Sequence, residues 1–147
     1  MAARTERDTL NGLIEICRDG ARGFQLAADH VADPELKRLF NETSRQRNLF
    51  AAELLPYAQR LGGDNDAAGT AKGALHRSWM RFKDAVSGYD ERMVLEEAQR
   101  GEAAAIDTYK DAISSLLPPN ARPVIERQYG AIRNTQRELF EISLPCS

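Results

Sequence analysis

Few residues in this chain have the means to do chemistry. They are Arg47, the carboxylates Glu53, Glu97 and Glu102, the amide of Gln128, the histidines His30 and His76, and the cysteines Cys17 and Cys146. Carboxylates and imidazoles on facing helices suggest metal first. A di-iron centre in a helical bundle takes one Glu from each of two helices and a Glu-x-x-His pair from each of the other two. Its carboxylates bridge and balance the metal charge, and its imidazoles complete the coordination. Three residues before His30 stands Ala27, and three before His76 stands Gly73, so neither pair exists here. A looser iron or manganese site built from Glu53, Glu97 or Glu102 is the alternative that stays open.

Arg47, in "RQRNLFAAE" (45–53), stands where an amphipathic helix should show an apolar residue. An inward guanidinium without a partner is very costly, so it demands a carboxylate. Glu102 shares a heptad position with Leu95, Tyr109 and Leu116, which makes it the best candidate. A buried Arg47–Glu102 pair, with Gln128 near the same level, is the expected polar core. A pair at the rim, with Arg47 reaching out to water, is the other outcome. Glu53 and Glu97 lie one position off their seams and are placed to close a network. Such a cation also sits where divalent ions would have to go. His30 is expected to cap a helix end, and His76 to pack beside Trp79. No Ser/His/acid or Cys/His arrangement suggests nucleophilic catalysis. "LGGDND" lacks the Lys and the flanking strand of a phosphate loop.

The elements that must position these groups are helices, because apolar residues recur at helical spacing throughout and never alternate convincingly. The chain reads as one all-α domain over 1–147. Its helices run at about 5–32, 34–61, 71–87, 90–117 and 120–142, with a tail at 143–147. The first carries Leu10, Leu13/Ile14, Cys17, Gly20/Ala21, Phe24, Ala27/Ala28 and Val31. Asp33 and Pro34 signal the next N-terminus. That helix carries Leu36, Phe40, Thr43, Arg47, Phe50, Leu54, Tyr57 and Leu61, with Pro56 expected to kink it near Ala52. The two later long helices carry Leu95, Ala98, Glu102, Ala105/Ile106, Tyr109, Ala112/Ile113 and Leu116, then Ile125, Gln128, Ile132, Thr135, Leu139 and Ile142. Four helices of roughly 23–28 residues, about 35–42 Å long, flank one of about 17 residues at 71–87. Two antiparallel hairpins joined by a long crossover that carries the short helix are the expected topology. An up-down five-helix array is the runner-up.

With 147 residues, 42% hydrophobic and 29% charged, and a net charge of −2, the composition is that of an ordinary globular protein. It argues against a nucleic-acid partner, since no strongly basic face stands out. No apolar run approaches a membrane span, and "MAARTERDTLNG" lacks a signal-peptide core. We therefore expect a cytoplasmic protein with no membrane partner. Two cysteines make no disulfide framework; Cys17 lies on a seam and Cys146 in the tail. Gly12, Gly20 and Gly23 cost helix propensity, which close approach of a neighbouring helix or a partner chain would explain. Leu49, Met80, Met93 and Phe140 lie beside the seams and leave material for a homodimer or other homo-oligomer.

The stretches "LNGLIEICRDGARGFQLAADHVADPELKRLF", "FAAEL", "RLGG", "GALHRSWM", "RGEAA" and "IERQY" resemble an uncharacterised bacterial family of ferritin-like four-helix-bundle proteins, a domain of unknown function. The resemblance covers about Asp8 to Ile142. It implies the ferritin-like fold, a cytoplasmic bacterial protein and no established reaction. Its pattern often has an acid at the position of Ala21 and a histidine at that of Gln136, and both differ here. Three functions follow as expectations. The first is a non-enzymatic bundle with a structural polar core at Arg47, Glu102 and Gln128, needing no cofactor and acting as an interaction or stress-associated protein. The others are a metal-binding carboxylate bundle with oxidase or iron-handling activity, and a small-molecule carrier using the space near Gly20, Ala21 and Pro56.

Overall fold

The computed structural model describes residues 5–62 and 90–142. The expected helix at 71–87, with His76, Trp79 and Met80, lies outside the described residues, as does Cys146. The described residues form four helices and no strand: α1 (Glu6–Asp29), α2 (Pro34–Arg60), α3 (Glu91–Ile113) and α4 (Arg122–Glu141). This is an all-helical, four-helix arrangement.

Local chemistry sets the helix ends. Thr5 caps α1 by accepting from Asp8 N at 3.0 Å, and Asp33 caps α2 by accepting from Leu36 N at 2.8 Å with Pro34 just inside. Side-chain oxygens satisfy first-turn N–H groups that have no helical partner. At the far end of α1, His30 is the C-cap and its Nδ1 lies 2.9 Å from Leu26 O. Lys37 Nζ donates to Ala28 O at 2.6 Å. Both occupy last-turn carbonyls. Gly62, just past α2, has φ +78°, the left-handed conformation that glycine supplies at a helix exit. Pro56 is accommodated inside α2, which is continuous from Pro34 to Arg60.

Three expected boundaries move. The first helix ends at Asp29, not near 32, with His30 as its cap and residues 31–33 as the turn into α2. The third long helix ends at Ile113, not near 117, and Arg122 reaches back to hold the freed carbonyls of Ile113 (2.9 Å) and Ser115 (3.2 Å). With the helix over, Leu116 leaves the expected stripe and is 72% exposed, while Leu117 turns in. The last helix starts at Arg122, with Pro123 in its first turn, not near 120. "LPPN" takes up those extra residues as turn.

Cross-helix bonds fix the directions. Ser44 Oγ donates to Ala21 O at 2.7 Å, so α1 and α2 are antiparallel neighbours around the Asp33 turn. Gln99 Nε2 donates to Leu139 O at 3.1 Å and Tyr109 Oη to Gln128 at 2.7 Å, so α3 and α4 are antiparallel too. Glu91, the first residue of α3, accepts from Ala32 N and from Asp33 N. Hence α2 and α3 start at the same end and run parallel. The core divides into two apolar clusters. One gathers Leu10, Leu13, Leu54, Tyr109, Ile125 and Ile132. The other gathers Phe24, Leu36, Phe40, Val94, Ala98 and Leu139 around the α1–α2 turn.

Candidate functional site: a polar layer across the bundle

Between the two clusters each helix contributes something other than a large apolar side chain. α1 gives Gly20 and Ala21, α2 gives Thr43, Ser44 and Arg47, α3 gives Glu102 and α4 gives Thr135, all buried. The centre of this layer is an ion pair. Arg47 Nη1 and Nη2 donate to Glu102 Oε1 and Oε2, each at 2.6 Å, with the two residues only 1% and 0% exposed. Two parallel charge-assisted bonds use the planar fork of the guanidinium fully and leave neither carboxylate oxygen bare. Arg47 Nε also donates to Gln46 Oε1 at 3.3 Å, and the Phe24 ring lies 5.6 Å from Arg47 Cζ. The stem of Arg47 runs along Gly20: a Cβ placed there would meet Arg47 Cγ at 3.5 Å. The space beside Gly20 thus holds the arginine. No such neighbour stands at Gly12, where nothing lies within 4 Å of an added Cβ.

Attraction to Glu102, and the hydrogen bonds the two share, hold the guanidinium pKa above its ordinary value even though burial works the other way. A buried pair of this kind gains little net stability, because desolvation offsets the attraction. What it does is penalise any register in which one charge loses its partner.

Gln128 does not join this pair. It sits nearer the other end, two turns before Thr135, and heads a second chain of bonds. Tyr109 Oη donates to Gln128 Oε1 at 2.7 Å, and Gln128 Nε2 donates to Phe50 O at 3.3 Å and Glu53 Oε1 at 3.0 Å. Glu53 in turn accepts from Arg127 at 2.7 Å. Since the Tyr109 proton goes to Gln128, the Cys17 thiol 3.1 Å away is the donor to Tyr109. Burial pushes the Cys17 thiol up to about 11 and the Tyr109 phenol well above its usual value. Both stay protonated near neutrality, and the thiol is no nucleophile. Glu97 pairs with Arg100 on its own helix, away from the layer. Of the residues singled out in the sequence, the fold brings Arg47 and Glu102 together, ties Glu53 to Gln128, and leaves Glu97 and His30 apart.

Sequence reasoning missed Cys17–Tyr109–Gln128 as a unit. A buried tyrosine hydroxyl needs a polar partner, and Gln128 is the one neutral amide on a seam, which was the signal available. It also missed Glu15 and Asp19, buried on α1 off its main stripe, where Asp19 pairs with Arg22.

The donor set fits a metal poorly. Among the described residues no group of three or more His, Cys, Asp or Glu side chains is placed to hold an ion. The one central carboxylate has both oxygens taken by a cation that never deprotonates. Glu53 faces Gln128 and Arg127, not Glu102. Iron or manganese would have to displace Arg47 from Glu102. Among the described residues no helix is long and apolar enough to cross a membrane.

Comparison with the curated proteins finds no match. A family model matches residues 5–115, from the cap of α1 to the turn after α3, and so takes in both halves of the central ion pair. The chain belongs to the family described as Domain of unknown function (DUF2383).

Proposed function

We propose that this protein is a non-enzymatic, metal-free bundle of the ferritin-like type, with its crossover helix at 71–87, which self-associates and serves as an interaction or stress-associated protein in the bacterial cytoplasm. One observation carries the metal-free part. The centre, where a carboxylate bundle would keep its ions, holds a bidentate Arg47–Glu102 pair with its charge already balanced. Nearer the other end the protonated Cys17 thiol is committed to Tyr109 and the Tyr109 phenol to Gln128, so neither serves as a base or a nucleophile. A polar layer of this kind fixes which residues of the four helices stand level and leaves the outer faces for contact. The parallel course of α2 and α3 supports the crossover topology. Exposed Leu49, Met93 and Phe140 supply apolar contact on three different helices.

Metal analysis tests the proposal, on protein as isolated and after anaerobic ferrous loading, with mass determination by light scattering on the same samples. The expected result is substoichiometric iron and manganese in a species larger than one chain. Stoichiometric metal would overturn the metal-free reading, and a monomer at all concentrations would overturn self-association.

A further inference from the structure

The centre of the bundle disagrees with the metal centre that a carboxylate bundle is built to hold, and the disagreement has a definite form. We infer that Arg47 is the resident cation of this bundle: its guanidinium occupies on Glu102 the place a metal ion would take, in a slot whose contacts select a planar, multiply donating cation. The inference deepens the metal-free reading and rests on it.

Three contacts define the slot. Glu102 presents both oxygens edge-on to Nη1 and Nη2. The Phe24 ring offers its negative π-system 5.6 Å from Cζ. Gln46 Oε1 accepts from Nε at 3.3 Å. Two coplanar acceptor directions and an aromatic neighbour match the shape and the donor fork of a guanidinium. A divalent ion wants several oxygen or nitrogen lone pairs converging on one point. Among the described residues no three such ligands converge, and Glu53, Tyr109 and Gln128 are joined to each other. Gly20 leaves the arginine stem room to lie flat on the way in.

Truncating Arg47 therefore empties a cation site without removing the residues that recognise the cation. Arg47→Ala is expected to melt about 10 °C or more below the wild type. Free guanidinium at about 20 mM is far below its denaturing range. If it binds the vacated slot at about 5 mM, it raises the folding equilibrium roughly fivefold and the Tm by about 2–4 °C. Sodium, tetramethylammonium and manganese chlorides at equal ionic strength are expected to give no comparable rise. The wild type and Arg47→Ala/Glu102→Gln are expected to give no rise with guanidinium either. No rescue of Arg47→Ala, equal rescue of the double variant, or rescue by manganese as large as that by guanidinium would each overturn the inference.

Arg47→Lys keeps the test decisive should Arg47→Ala fail to fold. It retains the charge but loses the fork, so it should melt clearly below the wild type; equal stability would also overturn the inference. The metal-free reading fails separately, by stoichiometric iron in the wild type, whatever guanidinium does to the variants.

Discussion

Replacing Arg47 with leucine should destabilise the bundle severely, and the reason lies in what it leaves behind. Glu102 is fully buried, and among the described residues Arg47 holds both of its oxygens. Arg47→Leu keeps an apolar stem beside Gly20 and Phe24, so the loss of packing is modest. It orphans a carboxylate in the middle of the core. Breaking a buried pair from one side costs about 3–5 kcal/mol, whereas replacing both partners with apolar groups is neutral or stabilising by about 1–4 kcal/mol. Against a usual total of about 5–15 kcal/mol, the single change consumes a large share of the stability. It corresponds to a Tm lower by about 10–15 °C. Arg47→Met/Glu102→Leu should recover most or all of that loss. Urea unfolding followed by far-UV circular dichroism, with calorimetry, reads both variants against the wild type. The reasoning is refuted if Arg47→Leu lies within about 0.5 kcal/mol of the wild type, a change expected of an ordinary surface site. It is equally refuted if the double variant is as unstable as the single, because the cost would then not come from the orphaned charge.

Other sites give independent checks. The Cys17 thiol is raised to about 11 in the fold and ionises near 8.5–9 when unfolded. Its contribution is therefore complete below about pH 9 and lost as pH rises towards 11, by up to about 2–3 kcal/mol; urea midpoints at pH 8 and 10.5 should diverge, and Cys17→Ala should narrow the gap. Gln128→Leu takes the acceptor from the Tyr109 hydroxyl, leaving it only the Cys17 sulfur among the described residues, and removes the bonds to Phe50 O and Glu53, which should cost about 2–3 kcal/mol in the same assay. Ser44→Ala deletes the buried bond to Ala21 O between α1 and α2, for a loss near 1 kcal/mol. Glu91→Gln keeps the shape but weakens acceptance from Ala32 N and Asp33 N, and should cost about 0.5–1.5 kcal/mol, more at low salt than at high.

Periodicity made the apolar seams legible, since Leu10 to Ala28 on α1 and Ile125 to Leu139 on α4 are buried as their spacing predicts. The central pair was legible for a different reason. A lone charge on an apolar seam has few tolerable partners, and Glu102 was the one carboxylate on a facing seam. What the pattern could not place was the end of α3. The apolar period runs on through Leu116, but the helix stops at Ile113 once the arginine at the head of α4 can take its carbonyls. That contact joins two elements and is invisible to a period counted within one. The level of Gln128 failed on similar grounds. A midpoint taken from helix lengths assumes that the helices are flush, yet α4 is the shortest of the four and Thr135, not Gln128, completes the layer. Gln128 found its partner in Tyr109, a residue the seam had marked as merely apolar.

The same geometry explains why the polar centre did not reveal how the helices run. Arg47 and Glu102 each lie near the middle of their helices, and midpoints stand level whether two helices are parallel or antiparallel. A central pair reports register and is blind to direction. Direction is decided at the ends, where Glu91 reaches from the start of α3 to the backbone of Ala32 and Asp33 at the start of α2. The two helices lie diagonally across the bundle, each packed against α1 and not against the other, and their N-termini come to one end, where each positive terminus favours an anion. Here Asp33 and Asp90 cap the two helices, and Glu35 and Glu91 stand in their first turns. The acids gathered at this end serve the two N-termini that lie there. Neutralising Asp33 and Glu91 together should therefore destabilise the bundle by more than the two single losses combined, since both carboxylates hold backbone N–H groups at the start of α2. Simple additivity in a double-mutant cycle would show that the two carboxylates act independently at the start of α2.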